Sequence, residues 1–147
     1  MAELTRKEVI MIINGSIKPR LAGVDLNSVD IHRLDLEGSN MRGAMLQAAN
    51  VNESIMRSSN MTGVDMTGAH AAYADLDKAI LISSNLTLAV FTGARLTGAN
   101  LTNAVLNGAN LQDANMKGAI VAGVKFDEAT VWPDGKKGSA SNPSKYT

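Results

Sequence analysis

An apolar residue, large in all repeats but one, recurs at every fifth position of this chain through 23 consecutive repeats, from Leu21 to Val131. Two positions before each of these central residues, from position 24 to position 129, the chain carries Ala, Ser, Val or once Leu, and 13 of these 22 residues are Ala. Two positions after the centre, ten repeats carry Gly. This five-residue period restricts the possible fold more than any other feature of the sequence.

A period of five is incompatible with a continuous α-helix or a continuous β-strand. On an α-helix, five residues rotate the apolar side chain by about 140°, so that no single face collects the series. On a strand, five residues move it to the opposite face at every repeat. The centres stay inside only if the chain bends once per repeat, and the regular Gly residues supply the backbone freedom for such bends. The sequence therefore predicts a solenoid with a thin, continuous apolar core.

The most regular stretch, residues 94–113, reads ARLTG, ANLTN, AVLNG and ANLQD. These repeats resemble the A-(D/N)-L-x-x motif of pentapeptide repeat proteins, and the resemblance covers about residues 21–132. It implies an all-β fold, a right-handed quadrilateral β-helix in which four repeats form one coil of twenty residues. Residues twenty apart in the sequence should then stack on one another.

The twenty-residue coil predicts specific neighbours. Ala71 is the only Ala among the centres and comes one coil before Phe91, and a small residue beside a large one conserves core volume. On the outside, two columns of alternating charge are predicted to form ion pairs: Glu37, Arg57 and Asp77 in one column, and Arg33 and Glu53 in the other.

An open solenoid needs protection at both ends. At the N-terminus, Thr5 to Glu8 form a capping box, in which the Thr hydroxyl and the Glu carboxylate accept from free amides at a helix start. Gly15 is a plausible helix stop, so the sequence predicts a short capping α-helix over residues 6–14. At the other end, Trp132 is expected to cover the last coil. The predicted segments are a capping helix and linker, the β-helix and a flexible C-terminal tail: 1–20, 21–132 and 133–147.

No catalytic, cofactor-binding or metal-binding residues are predicted, and the chain is not expected to be an enzyme. It contains no Cys, and its two His residues, His32 and His70, fall in different columns without a metal-ligand spacing. Asp recurs in the position before a centre. A side chain that bonds to the following turn or is solvated is a simpler interpretation of these residues than a catalytic pair. No nucleophile motif, phosphate loop or dinucleotide fingerprint is present.

The charge balance and the hydropathy bear on partners and location. Lys plus Arg and Asp plus Glu are 14 each, so the net charge of zero argues against nucleic acid and anionic membrane surfaces as partners. The apolar run Val9 to Ile13 is too short for a signal peptide or a membrane span, and a cytoplasmic protein is the expectation. No small-molecule substrate is indicated.

Within about one coil, five outward positions that are usually polar carry apolar residues. These residues are predicted to form a protein-interaction patch: Tyr73, Ile80, Ile82, Leu88 and Val90. Val105 and Ile120 could extend it. The competing interpretation is that a loosely constrained repeat tolerates scattered apolar residues. The patch favours a non-enzymatic structural or protein-interaction module that binds a protein partner or self-associates.

The alternative comes from the family resemblance, since some members imitate a DNA duplex and bind DNA gyrase. That role requires an acidic rod, whereas residues 24–131 contain 11 acidic and 7 basic residues, a net charge of −4. The centres are also mostly Leu and Met rather than the Phe typical of those members. The sequence therefore favours the interaction module over gyrase binding.

Overall fold

Parallel bridges between residues twenty positions apart run along almost the whole chain. In the computed structural model, which describes residues 3–147, the first bridge joins Arg20 to Asn40, and 18 of the 19 parallel bridges keep the separation of twenty. Each bridge involves a single residue, because the chain turns again after every five. The result is the predicted right-handed, four-sided β-helix with four repeats per coil.

The four sides of the shaft are numbered here in chain order by their columns of bridging residues. Side 1 contains Arg20, Asn40, Asn60, Ile80, Asn100 and Ile120; side 2 contains Asp25, Met45, Asp65, Asn85, Val105 and Lys125; side 3 contains Asp30, Asn50, His70, Val90, Asn110 and Val131; side 4 contains Asp35, Ile55, Asp75, Arg95 and Asn115. Successive sides are five residues apart, so sides 1 and 3 lie opposite each other, as do sides 2 and 4.

The centres form the core as predicted. Every centre from Leu21 to Met116 is fully buried, and most of the small residues two positions earlier are buried as well. Ala71 and Phe91 both lie in the core, in one column and one coil apart. Val121 and Phe126, in the last coil, are only half-buried because no complete coil follows them.

Each corner between two sides contains a residue in the left-handed backbone region. All 21 positions from 23 to 123 at intervals of five have φ between 53° and 71°; ten of them are Gly and eleven are not. Gly adopts this region without steric cost, whereas other residues adopt it at a cost of about 1–2 kcal/mol. The fold therefore imposes the corner geometry even where the sequence lacks Gly.

A single α-helix, α1 (Arg6–Asn14), covers the N-terminal end and confirms the predicted capping helix. Thr5 and Glu8 form the capping box, and Val9 is fully buried against the first coil. The Arg6 guanidinium donates to the carbonyl oxygens of Asp30 and His32, at 2.9 and 3.0 Å. These contacts hold the helix over the end of the core.

At the C-terminal end the register shifts by one residue, so the prediction that Val131 is a centre is wrong. Asn110 bridges to Val131, 21 positions later, and it is Trp132 that occupies the core. The cause is a local bulge around Asp127, whose Oδ1 accepts from the N–H of Gly108 at 2.9 Å, where a backbone carbonyl would serve in a regular coil. Thr130 is buried and donates to Leu106 O.

The sequence predicts a flexible tail over 133–147, but the structure places this segment against the end of the shaft. Lys137 bridges antiparallel to Val131, and two 3-10 helices follow, Gly138–Ala140 and Pro143–Tyr146. Trp132 holds the segment in place, because its Nε1 donates to Gly138 O at 2.9 Å and its ring stacks on that of Tyr146. The expectation overlooked Trp132 as an anchor for the residues after it.

Candidate protein-interaction surfaces

The bridging position before each centre points outward, and in twelve repeats it is Asp or Asn. In all twelve, the side-chain Oδ1 accepts from the backbone N–H two residues further on, at 2.9–3.3 Å. Such a bond stabilises the turn that follows. The recurring Asp residues therefore have a structural role in the turns, as the simpler interpretation of the sequence expected.

Between residues 20 and 125, a large apolar residue replaces Asp or Asn at six bridging positions and gives up this turn bond: Met45, Ile55, Ile80, Val90, Val105 and Ile120. After the last five of these residues, the backbone N–H two positions on has no acceptor within residues 3–147, whereas after Met45 the N–H of Gln47 donates to Asn27 Oδ1. The apolar residues are thus not what the turn itself requires. Their presence on the outside calls for another explanation, and contact with a partner is one.

The structure divides the five predicted patch residues between two opposite sides. Ile80 and Ile82 lie on side 1, where Ile120 follows two coils later. Val90 lies on side 3, Leu88 at the corner between sides 2 and 3, and Tyr73 at the corner between sides 3 and 4. The prediction of one contiguous patch is therefore corrected: these residues are close in sequence, but the chain travels half a coil between Ile80 and Val90.

Tyr73, Leu88 and Val90 form a band across one side of the shaft, called here the side-3 band. Tyr73 and Leu88 are 68% and 61% exposed, and Val90 is half-buried between them. Tyr73 reaches the next coil, since a β-carbon built on Gly93 would lie 2.5 Å from its Cε1. The ring therefore lies beside Val90's coil and completes the band.

The two corner residues of the side-3 band occupy an unfavourable backbone region. Tyr73 has φ 56° and Leu88 has φ 58°. They are the two large apolar residues among the eleven non-Gly corners, and bulky side chains are genuine outliers in this region. Strain of this kind is found at functional sites more often than elsewhere. The signal was readable in the sequence, because these positions are the ones where Gly otherwise recurs.

Charged residues beside the band are largely paired with one another. Arg33 donates to both oxygens of Glu53, at 2.9 and 3.0 Å, which confirms the predicted pair and lowers the pKa of Glu53. On side 4, Arg57 Nη2 lies 3.4 Å from Glu37 Oε2, also as predicted. Asp77, however, pairs with Arg95 at 3.6 Å rather than with Arg57. Such exposed pairs stabilise the fold by about 0–1 kcal/mol each.

The two His residues serve no common site. His32 Nδ1 lies 2.6 Å from Asp30 Oδ1, and this contact lowers the pKa of Asp30, whereas His70 is exposed on side 3. Within residues 3–147, no three His, Asp or Glu side chains stand close enough to bind one metal ion. In the same part of the chain, no helix is long and apolar enough to cross a membrane.

The regular shaft agrees with a known sequence profile. The family model for pentapeptide repeats matches eight copies over residues 44–81, 59–98 and 84–123, which together cover more than half of the chain. The chain belongs to the pentapeptide repeat family. No curated protein matches this pentapeptide repeat protein in sequence at a significant level.

Solved structures show the same fold. A pentapeptide repeat protein from the cyanobacterium Cyanothece 51142 is similar with a TM-score of 0.79 and 25% identity, over 86% of this chain and 98% of that one. A pentapeptide repeat protein from the thylakoid lumen of Arabidopsis thaliana has a TM-score of 0.66 and 30% identity, over 76% and 84%. The plasmid-mediated fluoroquinolone resistance protein QnrB1 reaches a TM-score of only 0.42 at 19% identity, over 69% and 54%, and this likeness supports no functional argument.

Proposed function

We propose that this pentapeptide repeat protein is a non-enzymatic interaction module that binds a protein through the side-3 band of Tyr73, Leu88 and Val90. The observation that supports the proposal is the pair of large apolar side chains held exposed at left-handed corners on either side of Val90. Burial of such side chains in an interface would contribute about 1.5–3 kcal/mol each. A partner that covers them offsets the backbone cost of placing them there.

The rigid shaft supports the proposal from the side of conformational entropy. A backbone hydrogen bond ties each of the two corners to the following coil: Tyr73 N–H donates to Thr92 O at 3.0 Å, and Leu88 N–H donates to Asn107 O at 2.8 Å. A surface presented on such a scaffold loses little freedom when a partner binds. Aromatic anchors like Tyr73 are enriched at the energetic centres of interfaces.

The double substitution Tyr73→Gly with Leu88→Gly separates binding from folding. Gly removes both side chains and relieves the left-handed strain, so we expect a stability within about 1 kcal/mol of wild type. Ser83→Gly, at an exposed corner with φ 53°, is the matched control. Sedimentation velocity of the three proteins at high concentration tests self-association, and affinity capture from cells that express them tests a foreign partner.

The proposal requires that wild type and the Ser83→Gly control form the same complex and that the double variant loses it. If the double variant retains every complex, the side-3 band is not the interface. If wild type forms no complex in either measurement, the interaction module itself is wrong. Where the double variant retains a complex, substitutions at Ile80 and Ile82 on the opposite side show whether side 1 makes the contact instead.

Binding to DNA gyrase is not favoured as the alternative. The structural likeness to QnrB1 is too weak to support it, and five of the eleven acidic residues of 24–131 form ion pairs, with partners such as Arg33, Arg57 and Arg95. A DNA-like surface needs a continuous negative field, which these pairs interrupt.

A further inference from the structure

A groove opens beside the first coil, between the linker that follows α1 and side 4 of the shaft. Its volume is about 560 Å³. Ile13, Ile17 and Lys18 line one wall, and Asp35 and Glu37 line the other. The groove is separate from the side-3 band, so its role is independent of the function proposed above.

The wall formed by side 4 is an open β-edge. In the second coil, Ile55 N–H donates to Leu34 O, and Ile55 O accepts from Leu36 N–H, so both groups are paired with the preceding coil. The corresponding groups of the first coil are the N–H and C=O of Asp35 and the C=O of Glu37. None of the three has a hydrogen-bond partner within residues 3–147.

The neighbouring sides of the same edge are protected. On side 2, Glu3 N–H donates to Asp25 O at 2.7 Å, and the Glu3 carboxylate accepts from Asp25 N–H. On side 3, Arg6 covers the carbonyls of Asp30 and His32. The linker passes alongside side 4 without pairing with it, because Ser16 and Lys18 bond to each other instead. An unpaired strand edge of this kind is a template for another strand.

The charges on side 4 indicate which strand would fit. Glu37 and Arg57 alternate in sign from coil to coil and form an ion pair. The Asp35 carboxylate has no cationic group of residues 3–147 within 4.0 Å. Ile17 lines the same groove as Glu37, and its side chain is 97% exposed. A basic side chain one coil before Glu37 would continue the alternation, and an apolar neighbour would cover Ile17.

We propose that this groove binds an extended peptide segment of another protein, added in parallel to residues 35–37, with a Lys or Arg beside Asp35 and Glu37. The peptide backbone donates to Asp35 O and Glu37 O and accepts from Asp35 N–H, as the preceding strand does in every later coil. Main-chain bonds supply the affinity in this mode of recognition, and the basic side chain supplies the selectivity.

The probe is an acetylated and amidated hexapeptide of sequence ANARGA, which follows the repeat and places Arg opposite Glu37. Titration of the ¹⁵N-labelled chain should shift the amide signals of residues 17–18 and 35–38 with a Kd on the order of 1 mM or tighter. Methylation of the peptide nitrogen at the third residue removes the donor to Asp35 O, and replacement of Arg by Glu reverses the charge. Each change should weaken binding at least about tenfold.

A matched pair of protein variants locates the effect. Glu37→Arg should abolish binding of the Arg peptide and favour the Glu peptide, whereas Glu53→Arg, at a glutamate that also pairs with an arginine one coil away, should leave both unchanged. The amide spectrum of each variant reports whether the fold is retained. The proposal is wrong if no signals shift at millimolar peptide or if the N-methylated peptide binds equally well. It is also wrong if the shifts lie at residues 118–126, in the last coil at the opposite end of the shaft.

Discussion

The shaft from Arg20 to Lys125 and the closing segment from Phe126 to Thr147 differ in the regularity of their backbone pairing. In the shaft, eighteen successive bridges keep a separation of twenty residues, whatever the outward side chain is. In the closing segment, the separation changes to 21 at once, and a side chain, that of Asp127, replaces a backbone acceptor. The centre then falls on Trp132 rather than on Val131.

The difference shows what maintains the five-residue period. A coil inside the shaft is hydrogen-bonded to a coil on each side, so that a shift of one residue would break bonds on both flanks and expose the centre. No parallel coil follows the last repeat, and its outer flank pairs only with the short segment around Lys137, antiparallel to Val131. There, the burial of a large side chain such as Trp132 outweighs the regular register.

Replacement of Trp132 by Ala should have the largest effect on the closing segment. The Trp132 ring is fully buried against Phe126 and Tyr146, with ring centroids 5.1 and 6.0 Å away, and large-to-small changes of this kind cost about 3–5 kcal/mol. We expect hydrogen exchange to lose protection at 126–147 while amides in the middle of the shaft keep theirs. Equal loss along the whole shaft would mean that the two regions unfold as one.

Leu96→Ala tests the shaft itself, at a centre with complete coils on both sides. The truncation should cost about 2–5 kcal/mol in the free energy of unfolding, measured with urea, and should reduce protection throughout the shaft. Leu88→Ala, at an exposed corner, is the control and should change stability little. A cost below about 0.5 kcal/mol for Leu96→Ala would contradict its place in the core.

The contrast between the two regions also marks what the sequence can predict. The centres and the helix α1 followed from the period and the capping box, because repeated local signals agree there with the backbone ladders. The coil of twenty followed from the resemblance to pentapeptide repeat proteins. The slip at Asp127 did not, since the apolar Val131 and Trp132 are adjacent and either could be a centre. Three-dimensional bonding to Gly108 decides between them.

The candidate surface shows the same division. The sequence identified Tyr73, Leu88 and Val90 as unusual from their outward positions, but it also grouped them with Ile80 and Ile82. Nearness along the chain is a poor guide on a four-sided shaft, where ten residues reach the opposite side. The open edge at Asp35 depends on how the linker passes the first coil, which no repeat pattern specifies.

A double-mutant cycle at Ala71 and Phe91 refines the description of the shaft. Both centres are buried on side 3, one coil apart. Ala71→Leu alone should overpack the core and cost about 1–3 kcal/mol. If the two side chains share one space, adding Phe91→Ala should recover part of this loss, whereas strict additivity in urea denaturation would show that they do not interact.

The smallest expected effect is an acid-induced release of the closing segment. Asp134 accepts from Tyr146 Oη at 2.7 Å and from Lys145 Nζ at 3.0 Å, and these contacts, with the backbone N–H of Lys136, lower its pKa well below the usual 3.8. A carboxylate with a lowered pKa stabilises the folded state above its unfolded pKa, and this contribution is lost as the pH falls through the folded value. Acidification below about pH 4 should therefore loosen the segment.

Trp132 is the single Trp of the chain and reports this release directly. Its fluorescence should shift to longer wavelength between about pH 4 and pH 2, while circular dichroism shows the shaft intact. Tyr146→Phe removes the hydrogen bond that contributes most to the lowered pKa of Asp134, so the transition should move to higher pH. Asp127 also has a lowered pKa, caused first by the bond from Gly108, and Asp127→Asn serves as the control that retains an acceptor there. An unchanged transition in Tyr146→Phe would contradict a role of the Asp134 contacts, and a transition lost in Asp127→Asn would assign the acid response to the Asp127 bulge instead.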